Sequence, residues 1–165
     1  MVINMFVYSI RASSVKFFAF ILFSLVILSA LVMSGNDSAV YASSDGYVDY
    51  SGIRSEDDRV AFIERFGIKV EREGREEMNF AMPENFDRVI LGYNELQKKQ
   101  GLNLSKYARK KVTRYTYKVT NYDAEGEVYA SLFVHRGRII ACDLSSASPD
   151  GFVLPLTLVD REKLK

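Results

Sequence analysis

Apolar positions along the chain fall into three regimes. From Phe17 to Met33 they are continuous: FFAFILFSLVILSALVM carries no charge over 17 residues. As a helix rising about 1.5 Å per residue it spans roughly 26 Å, the lower limit for crossing a hydrocarbon core of about 30 Å. From Ser34 to Ser55 apolar residues thin out in favour of Ser, Gly and Asp, a composition suited to a tether. Beyond Ser55 they recur with the periods of ordinary helices and strands.

Ser55-Glu56-Asp57-Asp58 reads as an N-cap followed by first-turn acids, which the helix dipole favours. Val60, Ile63 and Phe66 follow at helical spacing and Gly67 supplies a stop, predicting a helix over 56–66. Residues 68–70 and 78–82 flank the turn-like Arg72-Glu73-Gly74-Arg75 and predict a short hairpin. After Pro83, Phe86, Val89, Ile90, Tyr93, Leu96 and Gln97 form one stripe of a helix over 84–100, which Gly101 ends. Residues 102–107 form a connection. Three segments then alternate with period two: VTRYTYKVT, VYASLFVH and RIIACDLS. The third is apolar on both parities, as a central strand requires. The turns Asp123-Ala124-Glu125-Gly126 and Arg136-Gly137 make the three an antiparallel meander, and 152–158 adds a last strand or covers an edge.

The predicted fold class is α+β, with an N-terminal transmembrane helix and helices packed on one face of an antiparallel meander sheet. Residues 1–16 form a short N-terminus, 17–33 the anchor, 34–55 the tether, 56–158 one small domain and 159–165 a polar tail. Arg11 and Lys16 precede the apolar run and the first charge after it is Asp37. The positive-inside bias therefore holds the N-terminus in the cytoplasm and the domain outside, in a single-pass arrangement at the cell membrane. Val40-Tyr41-Ala42 offers small residues for signal peptidase, and cleavage after Ala42 would release a secreted domain. The apolar run is long for a signal peptide and ends well before that site, which favours an uncleaved anchor in contact with the lipid bilayer.

Charge and cysteine usage change this picture in two ways. The single cysteine, Cys142, excludes an intrachain disulfide and a multi-cysteine zinc site. The net charge of +1 conceals a segregation. Ten acids face five bases from Ser55 to Asp87, whereas nine bases face one acid from Arg88 to Lys118. Side-by-side packing of the two segments, each neutralising the other, is the plain expectation. The remaining chemistry is sparse. His135 is the only histidine and ends a strand. Cys142, beside Asp143 on an apolar strand, reads as a buried small hydrophobe. Asp57, Asp58, Glu76, Glu77 and Asp143 show no spacing that sets an acid/base pair apart. No catalytic, cofactor-binding or metal-ligating residue is assigned, and no cofactor is expected. The one candidate surface is basic: Lys106, Arg109, Lys110, Lys111, Arg114 and Lys118, interleaved with Tyr107, Tyr115 and Tyr117. Outside the cytoplasm nucleic acid is not its expected partner. An acidic envelope protein, lipid headgroups or an anionic polymer fits it instead.

The order RVAFIERFGIKV, a proline-initiated helix ending YNELQKKQGLNLSKY, then KKVTRYTYKVTNY, VYASLFVHRGRIIACDLSS and DGF resembles an exported bacterial family defined as domain of unknown function 4830. The resemblance covers roughly 57–153. It implies the small α+β domain and a membrane-spanning N-terminus, and it brings no activity. The family pattern has glycine where Ala141, Cys142 and Arg109 stand here. The expectation is a membrane-anchored extracytoplasmic binding module of the cell envelope. The alternative is an accessory or inhibitory domain regulating a membrane enzyme or transport complex, and the remote one a hydrolase with an unrecognised site.

Overall fold

Residues 48–165, apart from 74 and 149, are described by a computed structural model. The apolar run 17–33 and the cleavage motif lie outside the described residues. No described helix is long and apolar enough to cross a membrane. The order is α1 (Glu56–Glu64), β1 (Glu76–Ala81), α2 (Arg88–Lys98), a 3-10 turn (Leu104–Tyr107), β2 (Lys111–Lys118), β3 (Val128–His135), β4 (Arg138–Ser146) and β5 (Val153–Pro155). Two further 3-10 turns, Leu156–Leu158 and Arg161–Lys163, close the chain. The five strands form one sheet in the order β1-β2-β3-β4-β5, every pair antiparallel.

Both helices start where a side chain satisfies their first amides. Asp58 N donates to Ser55 Oγ at 3.1 Å and Ser55 N donates to Asp58 Oδ2 at 2.7 Å, a reciprocal capping box. Asp87 Oδ1 accepts from the amides of Val89 and Ile90, so α2 opens at Arg88, and the stretch after Pro83 is loop rather than helix. The expected hairpin between 68–70 and 78–82 does not form. Val70 bridges Val119, and β1 pairs along its whole length with β2, Phe80 opposite Val112 and Glu76 opposite Thr116. A turn motif marks where the chain can reverse, but nothing local chooses which strand fills the neighbouring slot.

The two helices do not share a face of the sheet as expected. Tyr115, Tyr117, Ala130, Leu132, Cys142 and Leu144 line one face and pack with Val60, Phe62 and Ile63 of α1. Val112, Phe133 and Ala141 line the other, where they meet Tyr93 of α2, Phe86 and Leu104. The reason lies in β4, whose register against β3 shifts between Phe133 and Val134. This bulge leaves Ile140 unpaired and turns it, with Ala141, into the second core, while Ile139 stays in the first. A strand apolar on both sides needs cover on both. The folded part also exceeds 56–158 at each end. Tyr50 and Ile53 are buried in the first core and Leu164 packs against it.

The outer edge of β4 is satisfied in three ways. At its start Ile139 N donates to Tyr50 O (2.8 Å) and Ile53 N to Gly137 O (2.9 Å). At its end β5 pairs with Asp143, Leu144 and Ser145. Between them two glutamines at the end of α2 stand in for a strand. Cys142 N donates to Gln97 Oε1 at 3.0 Å, and Gln100 Nε2 donates to Cys142 O at 2.7 Å. Gln100 Oε1 accepts from both the amide and the hydroxyl of Thr157, and Tyr50 Oη donates to Gln100 O at 2.6 Å. Gln100→Ala leaves the Cys142 carbonyl and the Thr157 donors without partners. The expected loss is about 2–4 kcal/mol of stability, seen as a lower urea midpoint with an unchanged slope.

Candidate functional site

Two places concentrate polar chemistry. The first is a buried row across the second face: register aligns Thr116 (β2), Ser131 (β3) and Asp143 (β4), and all three are buried. Tyr93 of α2 reaches in and its hydroxyl donates to Asp143 Oδ2 at 2.5 Å. Arg114 lies one row away, its Nε donating to Thr116 Oγ1 at 3.1 Å and its guanidinium 5.8 Å from the centre of the Phe133 ring. Burial raises the Asp143 carboxyl to about 6, although the Tyr93 bond, the Arg114 charge and Ser145 all pull it down. Burial, with the Asp143 charge added, also holds the Tyr93 hydroxyl protonated. Asp143 alone of the acids considered from sequence is thus buried and perturbed; Asp58 is a cap, and Asp57 and Glu77 pair with arginines. The row is a tie between α2 and the sheet, with a donor rather than a base beside the carboxylate.

Cys142, on the other face, is fully buried, and burial followed by the adjacent Asp143 charge pushes its thiol well up. It is held as an unreactive thiol. His135 Nδ1 donates to the Lys111 carbonyl at 2.6 Å and its ring lies edge-on to Tyr107, which fixes the imidazole as a brace between β3 and the start of β2. Among the described residues no group of three or more His, Cys, Asp or Glu is placed to hold a metal ion.

The second place is one end of the sheet, where β2 and β4 begin and β3 ends. The six cations of the basic strip divide here. Lys106, Lys110 and Lys111 are exposed, and no carboxylate of the described residues pairs with them. Arg109 is exposed at the same end but pairs with Glu84. Arg114 is half-buried beside the polar row. Lys118 lies at the far end of β2, bonded to Glu127 at 2.6 Å. The acidic and basic segments do pack side by side, β1 against β2, but they neutralise each other only in part: Glu84 pairs with Arg109, whereas Glu56 and Glu77 face Arg75 and Asp57 faces Arg72. Acids of the first third are therefore paired mostly within it.

Two cations missed from sequence complete this end. The β3–β4 hairpin turns on Arg136-Gly137 and sets His135 opposite Arg138, placing exposed Arg136 and Arg138 beside the start of β2. Neither has a carboxylate partner among the described residues. The turn itself was legible; extending the strand register back across it would have found both. Arg136 (φ 49°) and Arg109 (φ 62°) are also the only described residues other than glycine in left-handed backbone, where an L side chain meets its own carbonyl. A two-residue turn with both φ values positive favours Asn-Gly.

Residues 62–144 match the family described as Domain of unknown function (DUF4830). No curated protein matches the chain, and no solved structure does.

Two outcomes follow from this geometry. The Asp143 carboxyl is raised in the fold above its unfolded value near 3.9. Its contribution to stability is therefore complete below about pH 4 and lost as pH rises through about 6. The loss is about 3 kcal/mol at most, and Asp143→Asn removes this dependence, as thermal unfolding from pH 4 to 8 will show. Arg136→Asn relieves the turn and raises stability by about 0.5–1 kcal/mol, measured as a higher urea midpoint.

Proposed function

Because the chain belongs to the DUF4830 family, for which no activity is established, we propose a function from its own surface: a membrane-anchored, extracytoplasmic module that binds an anionic partner of the cell envelope through the basic end of its sheet. The observation that carries this reading is the set of exposed cations Lys106, Lys110 and Lys111 with Arg136 and Arg138, none paired with a carboxylate of the described residues. Like charges brought together raise the free energy of the fold, and an anion at that surface lowers it. The placement of the domain outside the membrane rests on the apolar run 17–33 and the cations Arg11 and Lys16 before it.

Binding of this kind needs no bond making. The two buried reactive groups fit a structural use: the Cys142 thiol is shielded, and the Asp143 carboxylate is occupied by the Tyr93 hydroxyl. The surface cations are long, exposed and free to rearrange, which suits a polyvalent anion better than a small rigid ligand.

The test is crosslinking of the tagged full-length protein in its native membrane, followed by mass spectrometry, with the triple variant Lys106→Glu, Lys110→Glu, Lys111→Glu alongside. The expected outcome is at least a tenfold loss of recovered partner in the variant, with an unchanged circular dichroism spectrum and unfolding midpoint. Equal recovery from both proteins overturns the proposal.

A further inference from the structure

We propose that the basic end of the sheet docks on the phosphodiester headgroups of an anionic bilayer, holding the domain against the membrane rather than away from it. This rests on the reading of that end as an anion-binding surface and names the anion.

Three observations converge. The first is charge complementarity. Lys106, Lys110, Lys111, Arg136 and Arg138 sit at one end, and the acids there are few. Glu84 is occupied by Arg109, Asp58 caps α1, and Asp49 accepts from Ser51 while lying within electrostatic range of Arg138. Each unneutralised cation near an anionic membrane is worth about fivefold in partitioning, so several together hold a domain that one could not.

The second is where the chain leaves the domain. Tyr50 and Ile53 bond to Ile139 and Gly137, the first residues of β4 and its turn. Tyr50 thus lies in the basic half of the sheet, nearer Arg138 than the acidic turn at Glu125 and Glu127, and the polypeptide leading back to the apolar run continues from it. Sixteen residues separate Met33 from Tyr50, and their extended reach is at most about 55 Å. A domain joined to a bilayer through this segment has its attachment nearer the basic end than the acidic turn, which keeps those cations within reach of the membrane surface. A diffusible polymer or an acidic protein gives no reason for the cations to gather where the chain departs.

The third is the backbone at the tip. Arg136 holds a left-handed conformation at φ 49° in a turn that asparagine would adopt with less strain. Strained residues of this kind persist where the side chain is used, and Arg136 lies at the outermost point of the hairpin. A guanidinium there can bond a phosphodiester through two N–H groups at once.

The experiment reads docking within the full chain, reconstituted into vesicles of phosphatidylcholine alone or of phosphatidylcholine with phosphatidylglycerol. Cys142 is buried, so an introduced cysteine takes a polarity-sensitive fluorophore selectively. Ala81→Cys places it at the basic end, opposite Lys111. Glu125→Cys places it in the exposed turn at the other end. The expected result is a blue shift of the Ala81 probe only with phosphatidylglycerol, reversed by salt, while the Glu125 probe stays unchanged. Arg136→Asn, chosen because it suits the turn, lowers the docking equilibrium about fivefold. A probe at Ala81 that does not distinguish the two lipids overturns the proposal, as does an equal shift at both ends. Soluble poly(glycerol phosphate) added to the neutral vesicles separates the two readings. A response to the polymer without one to phosphatidylglycerol overturns the membrane assignment and leaves anion binding standing, and a response to neither overturns both.

Discussion

A strand that is apolar on both faces and has no full-length neighbour on one side must still find partners for its outer N–H and C=O groups, because each one buried without a bond costs 1–3 kcal/mol. β4 is such a strand, and its outer edge organises the domain. Ile139 and Gly137 recruit the segment Tyr50–Ile53, Cys142 recruits Gln97 and Gln100, and Asp143, Leu144 and Ser145 recruit β5. Meeting those demands sets the position of α2 and draws Tyr50 and Thr157 to the same glutamine. Two amide side chains do there what a sixth strand would otherwise do. They also end the sheet at that point, since an edge closed by side chains offers no template for another strand.

Covering β4 on both faces has a second consequence. With α1 on one face and α2 on the other, the second face is filled unevenly. Its apolar half is closed by Tyr93, Phe86 and Leu104, and its polar half holds Thr116, Ser131 and Asp143. The carboxylate there works against the fold at neutral pH, and the Tyr93 hydroxyl with the Arg114 charge offsets part of that penalty. Arg114 is thereby drawn inward and leaves the basic surface. The cations that stay outside are on loops and strand ends; there Glu84 and Glu127 take up Arg109 and Lys118, and Lys106, Lys110, Lys111, Arg136 and Arg138 form no ion pair among the described residues. Stability and the proposed binding surface are thus shaped by the same arrangement of strands.

Much of this was readable along the chain. Period-two alternation located β2, β3 and β4 and their consecutive pairing, Arg136-Gly137 marked the tight hairpin, and Ser55 with Asp58 marked the start of α1. The side-by-side orientation of Tyr115 and Tyr117 toward one core follows from alternation alone. Gln97 lay in the apolar stripe of α2 and is indeed buried. Its reason is a hydrogen bond to β4, which the spacing does not contain.

By itself, then, the amino-acid order determined the local elements, the antiparallel meander and the segregation of charge, because each is written in residues a few positions apart. Only the tertiary structure decided that β1 pairs with β2 rather than folding back on 68–70, that Tyr50 and Ile53 belong to the core, and that Asp143 is buried against Tyr93. It alone separated Lys106, Lys110 and Lys111 from Arg109, Arg114 and Lys118, and joined them to Arg136 and Arg138. The physical reason is distance. Periodicity reports which side of its own element a residue faces, whereas pairing, burial and neutralisation depend on which remote element arrives opposite it.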